Sequence, residues 1–107
     1  MNNTKWKEIF EAFYYGNECL NDNLLIRWRI KNVDSINNGY ICPWDGTWSH
    51  FGSEPRNWKD IDYLQIELTS ENTDFVMEKI RAIHVPGEVR DNIVTIYGYR
   101  TDVDYIK

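Results

Sequence analysis

The sequence has two cysteines, Cys19 and Cys42, in 107 residues. Small secreted scaffolds that rely on disulfides are far denser in cysteine, so that class is excluded. The first residues, Met1-Asn2-Asn3-Thr4-Lys5, are polar, and no apolar run of signal-peptide length follows them. Both thiols are therefore expected free, in a cytoplasmic protein. No stretch approaches the ~20 apolar residues of a membrane span, which excludes a membrane-embedded helix. Basic charge is also in short supply: 12 Lys and Arg against 17 Asp and Glu, a net charge of −5. That balance argues against general affinity for nucleic-acid phosphates or anionic lipid. Histidine is limited to His50 and His84. Together with Cys19 and Cys42 they form a Cys2His2 set, but spacings of 23, 8 and 34 positions match no zinc motif, and no metal is expected. There is no phosphate-binding loop, no dinucleotide fingerprint and no nucleophile motif, so no cofactor and no catalytic residues are expected either.

Aromatic residues, by contrast, are abundant: five Trp, seven Tyr and four Phe. Large rings let a short chain build a core without disulfides. They also supply surplus surface of the kind that interfaces favour. The length corresponds to one domain, residues 1–107, with no internal repeat, low-complexity tract or long linker.

Hydrophobic spacing marks the elements. Trp6, Ile9, Phe10 and Phe13 recur at helical intervals and predict a helix over 4–15, with Asn3 or Thr4 at its start and Gly16 at its stop. Residues 24–31 alternate: Leu24, Ile26, Trp28 and Ile30 share one face, and Leu25, Arg27, Arg29 and Lys31 share the other. Tyr63 to Thr69 alternates too, with Leu64, Ile66 and Leu68 inward. A second helix follows, capped by Ser70, striped by Val76, Met77, Ile80 and Ile83, and ending near His84 because Val85 precedes a proline. Pro86-Gly87 reads as a turn, Arg90-Asp91-Asn92 as a short turn leading into the last strand, Ile93 to Tyr99, where Val94 and Ile96 lie opposite Thr95, Tyr97 and Tyr99, and the polar tail from Arg100 as partly frayed. The expected core comprises Phe10, Phe13, Ile26, Trp28, Leu64, Ile66, Leu68, Val76, Ile80 and Ile96.

The stretch from Tyr40 to Phe51 carries Asp45-Gly46 between aromatic-rich runs, the signature of a type I′ hairpin. That register places Tyr40, Cys42, Trp44 and Phe51 on a core-facing side, and Ile41, Trp48 and His50 on the other. The sum is an α+β domain of order α-β-β-β-β-α-β, two helices covering an antiparallel or mixed sheet of about five strands.

Candidate chemistry is sparse. His84 sits at a helix end, where a cationic ring is favoured, and His50 lies on a strand. Asp60/Asp62 and Asp102/Asp104 are carboxylate pairs without a third ligand or phosphate clamp. Arg27, Arg29 and Lys31 beside aromatic residues resemble a single-strand nucleic-acid platform. They equally describe an ordinary outer strand face on a net-acidic chain. The expected partner surface is the hairpin: Trp48 as an anchor, with Asp45, His50 and Glu54 around it.

Asn2-Asn3-Thr4-Lys5-Trp6, Gly39-Tyr40, Trp44-Asp45-Gly46-Thr47-Trp48, Ala82-Ile83-His84-Val85-Pro86-Gly87-Glu88 and Ile96-Tyr97-Gly98-Tyr99 together resemble a family of small, uncharacterised bacterial cytoplasmic proteins. That resemblance implies no site residues. In general character the chain is also similar to immunity proteins of bacterial toxin systems. Three functional expectations follow: a protein-binding module of the immunity type that occludes the active site of a toxin domain, such as a basic one; a small hydrolase or nuclease using His50 or His84; or a domain that self-associates through a sheet edge. The sequence leaves the oligomeric state open.

Overall fold

A computed structural model describes residues 3–19, 25–35, 38–46, 48, 51, 58–100 and 103–106. Helix α1 (Asn3–Cys19) leads into strand β1 (Trp28–Asn32). A single 3-10 turn, Trp58–Asp60, precedes β2 (Ile61–Glu67), and helix α2 (Thr73–Ile83), β3 (Gly87–Arg90) and β4 (Ile93–Tyr97) complete the described elements. The sheet is antiparallel throughout, in the order β1-β2-β4-β3. Among the described residues the elements are thus α+β, two helices and a four-stranded sheet, and do not follow the order α-β-β-β-β-α-β.

The alternation in β1 and β2 sorts the two faces of the sheet. Trp28 pairs with Ile66 and Ile30 with Leu64, and Ile66 and Leu64 pair with Val94 and Ile96 of β4. All six side chains are buried in one core with Trp6, Ile9 and Phe13 of α1 and Val76, Met77 and Ile80 of α2. The helices therefore cover this face. Of the expected core, only Phe10 and Leu68 are partly buried, packing against the rest.

Helix α1 runs through Gly16 to Cys19, so the expected stop does not act. A helical glycine costs only about 1 kcal/mol relative to alanine. The Cys19 side chain lies outside the described residues, whereas Cys42 is a half-buried free thiol. Helix α2 ends on His84, whose φ of 65° is left-handed and whose N–H returns to the Ile80 carbonyl. At its other end Asn72, not Ser70, is the N-cap. Asn72 is fully buried and acts as a knot. Its Oδ1 accepts from the Thr69 N–H at 2.8 Å, and its Nδ2 donates to the carbonyls of Leu25 at 3.0 Å and Glu67 at 3.1 Å. One amide thus ties the start of α2 to the ends of β2 and of the lead into β1, with both its N–H donors used and its oxygen accepting.

The primed hairpin turn lies at Asp91-Asn92, with φ of 51° and 65°, between β3 and β4. Gly87 does not turn the chain but begins β3, where a Cβ would lie 2.1 Å from the Thr95 carbonyl oxygen. The tail is docked at residues 103–106: Gly87 N donates to Asp104 O, Ile106 N donates to Val85 O, and Ile106 joins the core.

Among the described residues no strand follows Asp45-Gly46 to make the expected hairpin. Instead residues 40–45 lie antiparallel along β1, bridging Lys31 with Ile41 and Trp28 with Asp45. Four steps on this ribbon match three on β1, so it carries one extra residue. Pro43, with no N–H to pair, lies in that interval. The bulge keeps Cys42 against the core and turns Trp44 to the outer face, while Tyr40 is 54% exposed. Trp48 and Phe51 then adopt helical backbone, and both are buried. Trp48 stacks on Phe13 at 4.8 Å, and Phe51 meets the Trp28 edge at 5.3 Å and Trp58 at 5.1 Å. The aromatic surplus is consumed largely by this core, since Trp6, Trp28, Trp48 and Trp58 all belong to it or pack on it.

Candidate functional site

Of the expected partner residues, Trp48 and Asp45 lie among the described residues. Trp48 is 4% exposed, and its Nε1 donates to the Ile26 carbonyl at 2.9 Å. Every polar and apolar part of that side chain is committed to the interior. Asp45 is half-buried and exchanges backbone hydrogen bonds with Trp28 at 2.8 and 2.9 Å. His50 and Glu54 lie outside the described residues. His84 stacks on Tyr105 at 4.4 Å on the surface near the docked tail. Asp60 belongs to the 3-10 turn and Asp62 to β2. Asp102 lies outside the described residues. Among the described residues no three His, Cys, Asp or Glu side chains are grouped to hold a metal. No described helix is long and apolar enough to cross a membrane.

The helix-free face of the sheet carries the most organised surface. Its side chains are those that alternate with the core positions: Arg29 and Lys31 from β1 with Arg27 just before it, Tyr63, Gln65 and Glu67 from β2, and Thr95 and Tyr97 from β4. The basic stripe expected on the outer side of β1 is present and fully engaged. Arg27 makes a two-point contact to Glu67, Nε to Oε1 at 3.0 Å and Nη2 to Oε2 at 2.5 Å. Arg29 donates to Gln65, which in turn donates to Thr95. Lys31 bridges Asp62 at 3.0 Å and Asp34 at 3.1 Å. Hydrogen bonding to Glu67 raises the Arg27 pKa, and hydrogen bonding first to Asp62 and then to Asp34 raises that of Lys31. Such solvent-screened surface pairs add little stability. Their effect is to hold long side chains in fixed positions.

Rings sit among these charges. Trp44, delivered by the bulge, lies under the Arg29 guanidinium at 4.5 Å, with Arg27 at 5.9 Å. Tyr63 and Tyr97 face each other across β2 and β4, edge to face at 6.4 Å, and Arg100 covers the Tyr97 ring at 4.8 Å. The Tyr97 hydroxyl donates to Glu88, and burial, followed by Glu88, raises its pKa above the ordinary tyrosine value. Between Ile41, Lys31, the two tyrosines, Glu88 and Arg100 runs an open groove of about 400 Å³. Sequence reasoning found the cations and the outward placement of Tyr63 and Tyr97, but it assigned Trp44 to the core and drew no site from the two tyrosines. The available signal was the polar half of each alternating strand, Tyr63-x-Gln65-x-Glu67 and Thr95-x-Tyr97.

Comparison with curated proteins and with solved structures finds no match. The model of a family of unknown function (DUF6678) matches residues 1–103, and the chain belongs to that family.

Proposed function

We propose that this protein is a protein-binding module of the immunity type, which neutralises a toxin domain in the cytoplasm by covering its active site with the helix-free face of the sheet. The observation that carries the reading is the ordered set of Trp44, Tyr63, Tyr97, Arg29 and Arg100 on a sheet face that neither helix covers. Aromatic and arginine side chains are the types enriched at interfaces and dominant in their hot spots. Here their partners hold them in place before binding, which reduces the ordering cost on association. The net charge of −5 favours a basic domain as partner and speeds its approach. The groove's own carboxylates are engaged, Asp62 by Lys31 and Glu88 by Tyr97, an arrangement that suits recognition better than proton transfer.

The test is to search the neighbouring genes for a toxin-like domain and to co-express that domain with this protein. Growth should be rescued by the wild type and lost with a folded Tyr63→Ala/Tyr97→Ala variant. Absence of both rescue and a complex with the purified domain would remove the immunity reading. Hydrolysis of a phosphoester by the purified protein, abolished by His84→Ala, would replace it with an enzyme.

A further inference from the structure

The two edges of the sheet are finished differently. On the β1 side, residues 40–45 run along the edge and occupy its hydrogen-bonding groups. On the β3 side the tail bridges Pro86 through Tyr105, and its bonds reach Val85 and Gly87. Among the described residues nothing pairs with the outer side of β3 beyond that point. The bonding phase is fixed by neighbours. Tyr97 N donates to Pro86 O, so even-numbered residues of this strand turn toward β4, while Gly87 N turns outward to Asp104 O. Two residues on, Val89 presents its own N–H and C=O outward, and its side chain is 45% exposed. Unpaired, exposed strand edges of this kind template pairing with another chain.

The residues flanking Val89 are of opposite charge, Glu88 on one side and Arg90 on the other. Both project from the same sheet face, with their charged ends 3.9 Å apart. We propose that the occupant of this edge is a second copy of the chain, paired antiparallel about a two-fold axis through Val89. In that register Val89 of each copy exchanges main-chain hydrogen bonds with the other. Glu88 falls opposite Arg90 of the second copy, and Arg90 opposite its Glu88. The self-complementarity depends on the order of the charges: two like charges flanking Val89 would repel in the same pairing. The four-stranded sheets then join into one continuous sheet, with the Tyr63–Tyr97 groove of each copy on the same side of it. Permanent interfaces bury about 1,200–2,000 Å² or more. A four-residue edge is smaller, so the dimer is reversible and concentration-dependent.

Sedimentation of the full chain over a range of concentrations tests this, without any toxin partner. The wild type should pass from monomer to dimer as concentration rises, and salt should weaken the dimer. Glu88→Arg and Arg90→Glu should each weaken it by about tenfold or more, because each sets like charges opposite one another. The doubly swapped variant, Glu88→Arg with Arg90→Glu, restores opposite charges in this register alone and should recover the dimer. Both positions are exposed, with side-chain accessibilities of 48% and 76%, and a thermal melt of each variant reports its fold. A wild type that stays monomeric throughout overturns the proposal. So do single variants that dimerise like the wild type, or a folded double swap that does not.

Discussion

Replacing Trp48 separates a core role from a surface role. The side chain is 4% exposed, stacks on Phe13, contacts Trp28 and Phe51, and donates its indole N–H to Ile26. Burying a large aromatic removes about 150–250 Å² from water, or about 4–6 kcal/mol at ~25 cal/mol/Å². A compact unfolded state reduces that by roughly 10–40%. The Ile26 carbonyl, left without its donor, adds about 1–3 kcal/mol. Trp48→Ala should therefore cost about 4–5 kcal/mol, near the top of the range for such truncations and a large part of the ~5–15 kcal/mol typical of a domain. In urea titration the midpoint should fall by about 2 M with little change in slope. Trp48→Phe keeps a ring against Phe13 and loses the hydrogen bond, so its cost should be about 1–3 kcal/mol. Because Trp48 does not reach the surface, folded Trp48→Phe should engage a protein partner as well as the wild type. A Trp48→Ala variant within about 1 kcal/mol of wild type would refute the burial argument.

Asn72→Ala removes a side chain that satisfies the Thr69 N–H and the carbonyls of Leu25 and Glu67. It should destabilise by about 2–4 kcal/mol in the same titration, since an unsatisfied buried group costs about 1–3 kcal/mol. Asn72→Asp should be at least as damaging, because a carboxylate cannot donate to either carbonyl. The raised pKa of Tyr97 favours its neutral form in the folded state. Its contribution to stability is fully present below the ordinary tyrosine pKa and is lost as pH rises through the higher folded value. Tyrosine absorbance should show a group ionising above the ordinary tyrosine value, absent in Tyr97→Phe, whose stability should also depend less on alkaline pH.

Elements whose burial is one-sided were legible in the sequence. The inward faces of β1 and β2 and the stripes of α1 and α2 keep a clean period, because each buries one side against the same core. The basic stripe of β1 was legible for the complementary reason, that the alternate residues must face away from that core. The turn at Arg90-Asp91-Asn92 was legible as a short turn before the last strand, but the primed hairpin was assigned to a different dipeptide. Asp45-Gly46 fits the rule better, but pairing of residues 40–45 with β1 and burial of Trp48 and Phe51 override it. Asp91-Asn92 forms the turn instead, since both residue types tolerate positive φ. Strand β3 was hidden by Pro86-Gly87, which suggests a turn unless the strand lies at an edge. A one-residue bulge opposite β1 reversed the facing of Trp44, and with it the location of the aromatic surface.

The most direct measurement is amide mapping by NMR, titrating the isotope-labelled protein with a toxin domain against which it rescues growth in co-expression. Binding through the helix-free face predicts shifts concentrated at Trp44, Tyr63, Gln65, Tyr97 and Arg100, with the outer sides of α1 and α2 unchanged. Shifts confined to the helices, or none at saturating domain, would contradict that assignment.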